Sequence, residues 1–214
     1  YFYVRAKNAQ GNVDATPANH AWVINAATPN TGFSATPPHV SPSTNGGFTF
    51  TSTITPSTFE CKLDGAATFT DCSNPSIFAH LLDGSHTLYV RAKDSAGNVD
   101  PTPASYTWTV DTTEPDTTIV ATPSNPSAST SATFSFSASE TNVTYECMLD
   151  GVAFVACSNP VTYSNLALGP HNILVRARDA AGWVDGNPAS FSWTISLAAP
   201  ETTLTQTPPV SSSS

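Results

Sequence analysis

One stretch of about 25 residues occurs three times, and this repetition constrains the fold more than any other feature of the chain. It reads YFYVRAKNAQGNVDATPANHAWVIN from Tyr1, HTLYVRAKDSAGNVDPTPASYTWTVD from His86 to Asp111, and HNILVRARDAAGWVDGNPASFSWTIS from His171. Arg5, Arg91 and Arg176 fall 86 and 85 residues apart, and Trp22, Trp108 and Trp193 keep the same two spacings. A period of this length and regularity denotes tandem copies of one domain. Two complete repeats are expected, over 26–111 and 112–196, flanked by the closing strands of another repeat at 1–25 and an opening strand at 197–214.

Within the recurring stretch Leu88, Val90 and Ala92 alternate with Tyr89, Arg91 and Lys93, and the third copy alternates in the same way. A period of two over this length predicts a half-buried strand. The DSAG segment predicts a turn, because Gly97 accepts positive φ and Asp94 can bond nearby backbone amides. Tyr106, Trp108 and Val110 then alternate as a second strand, which makes the unit a hairpin with one buried face. Upstream, Phe48 and Phe50 recur as Phe134 and Phe136, and the Asp64-Gly65 and Asp150-Gly151 pairs mark hairpin turns. About seven strands per repeat result, all antiparallel by connection length.

The spaced pattern His86, Leu88, Val90, Ala92, Asp94, Gly97, with Asn8 in the first copy, resembles the penultimate strand of fibronectin type III domains and of bacterial immunoglobulin-like repeats. The corner tyrosine of those domains falls on His86 and His171. The resemblance implies an all-β fold of tandem antiparallel β-sandwich domains. It also implies an extracellular spacer or adhesive role, and no active site.

Composition agrees with that class. Charged residues make up 11% of the chain, against roughly 25% in an average soluble protein. Ser and Thr supply about a quarter of the residues. A net charge of −9 with only seven basic residues argues against nucleic acid, whose binding rests on phosphate neutralisation. No apolar run approaches the roughly 20 residues a membrane helix needs.

Four cysteines pair naturally as Cys61 with Cys72 and Cys147 with Cys157, each pair flanking a hairpin turn of its own repeat. Free buried thiols are the alternative, and zinc has no CxxC or nearby histidine pair to recommend it. Bonded pairs imply an oxidising compartment and an extracellular location. The DSAGNVD loop offers Asp94, Asn98 and Asp100, with Asp111 and Asp116 nearby, as calcium ligands or as ordinary turn residues. Asn98 becomes Trp183 and Asp111 becomes Asn25 or Ser196 in other copies, which favours turn chemistry; no metal and no cofactor are expected.

Six of the seven basic residues share the outward face of the recurring strand. They form either a cationic ladder or, preferably, cross-strand pairs with Glu60 and Glu146. Histidines and carboxylates are too scattered for a catalytic set. Trp183, replacing Asn12 and Asn98, is expected at an exposed hairpin tip in contact with the segment near Ala198–Pro200 or with another chain. The linker DTTEPDTTI, with no glycine and one proline, is expected to be a stiff joint. The two incomplete repeats suit a window on a longer array. The expected role is a stiff surface fibre, stalk or filament whose partners are other copies. Repeats that bind a glycan or host protein, or a spacer within a secreted glycan-degrading enzyme, are the alternatives.

Overall fold

The computed structural model describes residues 1–197, and these contain strands and turns but no helix. The chain divides into two compact units at the Val110–Asp111 bond.

The first unit begins with a hairpin of β1 (Phe2–Val4) and β2 (Ala18–His20), paired from Phe2↔His20 to Val4↔Ala18. The equivalent residues of a complete repeat are buried, whereas Val4 is 53% and Trp22 55% exposed in this hairpin. The sandwich follows with β3 (Thr31–Ala35), β4 (Val40–Ser41), β5 (Gly46–Ser52), β6 (Ser57–Leu63), β7 (Thr70–Cys72), β8 (Ser76–Phe78), β9 (Gly84–Asp94) and β10 (Ala104–Val110). One sheet has the order β3-β5-β8 and the other β4-β10-β9-β6-β7.

Alternation decides which side of each strand is inside. Leu88, Val90 and Ala92 of β9 are fully buried, with Phe59 and Cys61 of β6 beside them and Phe48 and Phe50 of β5 across the core. Trp108 of β10 is the largest buried side chain, its ring 5.1 Å from that of Phe48. Asn74 acts as a short strand substitute: its side-chain amide donates to the Phe50 carbonyl, and its oxygen accepts the Phe50 N–H. Asn159 repeats this on Phe136 in the second unit.

The second unit runs through β11 (Thr117–Ala121), β12 (Ala132–Ala138), β13 (Thr144–Leu149), β14 (Val155–Cys157), β15 (Val161–Tyr163), β16 (Gly169–Arg178) and β17 (Ala189–Ile195). Its sheets are β11-β12-β15 and β14-β13-β16-β17. Phe134, Ile173, Val175, Trp193 and Ile195 form its core, with Trp193 again 5.1 Å from the phenylalanine opposite.

The all-antiparallel expectation needs one correction. In the first unit β4 pairs with β10 in parallel, Val40 opposite Thr109. Pro37 and Pro38 cannot continue the ladder of β3, so the opening segment leaves that sheet and joins the other. The Tyr106 hydroxyl, 2.7 Å from the Pro37 carbonyl oxygen, holds the crossing. This split gives the first unit eight sandwich strands. In the second unit the parallel strand shrinks to one bridge, Ser127 to Ile195.

Both disulfides lie across the hairpins. Cys61 is bonded to Cys72 and Cys147 to Cys157, with Cα atoms 5.7 and 5.8 Å apart. Residues 198–214, which hold most of the expected further opening strand and the segment proposed to meet Trp183, lie outside the described residues.

Candidate functional site

The loop after the recurring strand is built around aspartates. Asp94 Oδ1 accepts the N–H groups of Ala96 and Asn98, while Oδ2 accepts the side-chain amides of Asn98 at 2.8 Å and Asn25 at 3.0 Å. The Asn98 amide outweighs the opposing effect of burial, and with the backbone donors it holds Asp94 below its ordinary 3.8. Asp100 is 1% exposed. Burial pushes its carboxyl up, but donors from Thr31 and Thr102 overcome this and hold it low. Its Oδ2 takes the Thr31 N–H at 2.8 Å, and Thr31 Oγ1 in turn takes the Ala92 N–H. Asp185, Thr117 and Ala177 repeat that chain in the second unit. Asp94 thus serves the turn, and Asp100 and Asp185 also anchor the opening strand of their units.

The second unit departs from the first at Asp179, the counterpart of Asp94. Oδ1 of Asp179 accepts Gly182 and Trp183 N–H at 2.7 Å each. Both side-chain amides that served Asp94 are gone, since Asn25 is replaced by Asp111 and Asn98 by Trp183. Asp179 is 8% exposed, and its Oδ2 is sealed from solvent with no hydrogen-bond partner among the described residues. One oxygen each from Asp111, Glu140 and Asp179 lies within 4.8 Å of the others. Thr113 Oγ1 sits 3.0 Å from both Asp111 Oδ1 and Glu140 Oε1.

Trp183 itself corrects the sequence reading. Its indole is half-buried, not projecting at a hairpin tip, and Nε1 donates to the Asp111 carbonyl at 3.0 Å. The contact is with the segment that precedes the unit, whereas the one expected near 198–200 falls on undescribed residues. Asn98 does the same service in the first unit by donating to the Asn25 carbonyl at 3.1 Å. An amide and an indole thus clasp the incoming chain at the same place.

On the outer face the arginines are paired. Arg91 Nη2 lies 2.7 Å from Glu60 Oε2, with Lys93 at 3.9 Å from the other oxygen. Arg176 and Arg178 hold Glu146 in the same way. Arg91 and Arg176 are also stacked over phenylalanines, Phe69 at 4.2 Å and Phe154 at 4.0 Å. Arg176 holds the Glu146 carboxyl below its ordinary value. In each of the two sandwiches the two cations of the recurring strand share one glutamate, so there the face is not a free cationic ladder.

The two histidines at the corner-tyrosine position, His86 and His171, make matching contacts. His86 lies 2.9 Å from Asp64 and 2.8 Å from the Leu82 carbonyl; His171 matches it with Asp150 and the Ala167 carbonyl. Carboxylate and carbonyl only accept, so both contacts form together only on a protonated ring. The carbonyl contact first, helped by the aspartate, raises both imidazoles above 6.5. A raised native pKa stabilises fully below the unfolded value, and the benefit is lost as pH rises through the native one. Glu146 and Asp150, both held low, act in the opposite sense and lose their benefit only as pH falls below the ordinary carboxylate range. Thermal stability should therefore peak between those limits and decline above neutrality. In His171→Asn the decline above neutrality should be smaller for the second unit, as read by calorimetry over pH 5–9; an unchanged profile contradicts the assignment.

No protein-family model matches the chain, and no curated protein matches it. Among solved structures it is similar to the fibronectin(III)-like modules of Clostridium thermocellum CbhA, at 15% identity and TM-score 0.41 over 82% of this chain and 100% of that one. It is similar to a Ca2+-stabilized adhesin with which an Antarctic bacterium binds ice, at 20% identity and TM-score 0.38 over 90% of this chain and 55% of that one. A tetra-tandem repeat from the extending region of a large adhesion protein follows at 17% identity and TM-score 0.36, over 90% and 55%. The chain spans about half the length of those two adhesin structures. At such scores the likeness is loose, and the sandwich assignment rests on strand order, register and core.

Proposed function

We propose that the chain is a run of extracellular repeats serving as a stiff stalk, fibre or filament that holds another part of its protein, or other copies of itself, at a distance. The observation that carries this reading is the residue-level duplication of the structural devices. The disulfide across a hairpin, the arginine–glutamate pair under a phenylalanine, the histidine corner and the clasp on the incoming segment all occur once per unit. Duplicated reinforcement of this kind suits an array whose stability is nearly a sum of unit and neighbour contributions. The disulfides favour an oxidising, extracellular setting. The repeats are read as non-enzymatic; the two histidines that recur between units, His86 and His171, are engaged in corner contacts.

A binding role, as an adhesin for glycan or another surface ligand, is the second reading. The adhesin repeats among the similar structures are what favours it. Small-angle scattering of the 214-residue chain separates a stiff spacer from a flexible string. The linker, free of glycine, should give a rod-like profile whose length does not vary with salt. A broad distribution of end-to-end distances contradicts the stalk.

A further inference from the structure

We propose that the second unit, and not the first, binds one calcium ion on its incoming segment, between Asp111, Glu140 and Asp179. Three carboxylates within 4.8 Å of one another repel unless a cation or protons intervene. Two are half-buried and Asp179 is buried, so water screens the repulsion poorly. Asp179 is fixed by the two N–H bonds to Oδ1, which leaves Oδ2 buried and without a donor among the described residues. Buried polar oxygens are almost always satisfied, and a carboxylate oxygen beside two further carboxylates can be satisfied by a cation.

The first unit serves as an internal control for this assignment. At the equivalent place Asp94 Oδ2 receives two amide N–H groups, from Asn25 and Asn98, and Ile54 stands where Glu140 would be. Replacing those two amides with a carboxylate and an indole, and adding a glutamate, turns a site filled by donors into one made of acceptors. The oxygen-only set selects a hard cation, and an irregular arrangement completed by water suits calcium better than magnesium, which demands near-octahedral geometry. Thr113 Oγ1, in contact with both Asp111 and Glu140, is placed to follow the ion. Of the oxygens the sequence offered for calcium, those of Asp94 and Asp100 are already occupied, and Asp111 is the one that belongs to this cluster.

Titration of the chelator-treated 214-residue chain with calcium chloride, read by isothermal calorimetry, tests this. One ion per chain is expected, with a rise in the melting temperature of the second unit alone. Glu140→Gln changes a half-buried residue and should weaken binding about tenfold or more, with an unchanged circular dichroism spectrum. Asp111→Asn, which copies Asn25, should abolish the calcium effect and raise melting in the absence of metal. Absence of calcium binding, calcium binding unchanged in both variants, or a calcium effect confined to the first unit would overturn the proposal.

Discussion

Replacing Trp193 with alanine should unfold the second unit while the first continues to melt as before. Trp193 is 1% exposed and spans the core between Phe134 and the ring of His171, at 5.1 and 5.4 Å. Truncating a fully buried aromatic costs about 3–5 kcal/mol from lost transfer energy and the cavity left behind. A domain this small has total stability of roughly 5–15 kcal/mol, so the loss is decisive. Calorimetry of the intact chain should show the transition of the second unit displaced far downward and the other unmoved. Movement of both transitions together would mean that the units do not fold separately.

The second large effect concerns the cross-hairpin bonds. Cys147 is completely buried, and Cys61 is nearly so. The pairs close short loops, with sequence separations of 11 and 10. Loops of this size stabilise by roughly 3 kcal/mol in the chain-entropy account. The double variant Cys147→Ala with Cys157→Ala should lower the melting of the second unit by many degrees and make it prone to proteolysis. Cleavage should begin in the freed β13–β14 hairpin. Melting unchanged by the loss of both cysteines would show that the hairpin is held by packing alone.

Much of this architecture could be read from the chain itself, for a definite reason. Period-two alternation marks a strand because it is local, and Leu88, Val90 and Ala92 are buried where the alternation puts them. Strictly repeated positions placed Arg91 beside Glu60 and Arg176 beside Glu146. The parallel edge strand β4 was not legible, because a two-residue strand leaves no periodic trace and the break at Pro37 does not say where the chain goes next. The contacts of the corner histidines were not legible for a related reason. His86 and Asp64 are separated by 22 residues, and only the fold of the hairpin brings them together.

The carboxylate cluster was least legible of all. Asp111, Glu140 and Asp179 come from three segments about 30 and 40 residues apart, so no motif spacing joins them. The signal lay in the differences between copies. Asn25 to Asp111 and Asn98 to Trp183 argue against a metal common to all repeats. The same two changes strip Asp179 of its donors and single out one repeat. Trp183 was misread because an aromatic in a polar turn looks exposed in sequence, whereas its N–H takes over the clasp that an asparagine makes elsewhere.

The central claim is that each unit is a self-contained, disulfide-braced sandwich fit to carry tension, and pulling single molecules of the 214-residue chain by its ends tests it most directly. The account predicts two separate unfolding events, each leaving its disulfide loop unextended. Reducing agent should lengthen each event by about 35–40 Å, from ten or eleven residues at roughly 3.5 Å per residue. A single gradual extension without discrete events, or event lengths indifferent to reduction, would contradict it.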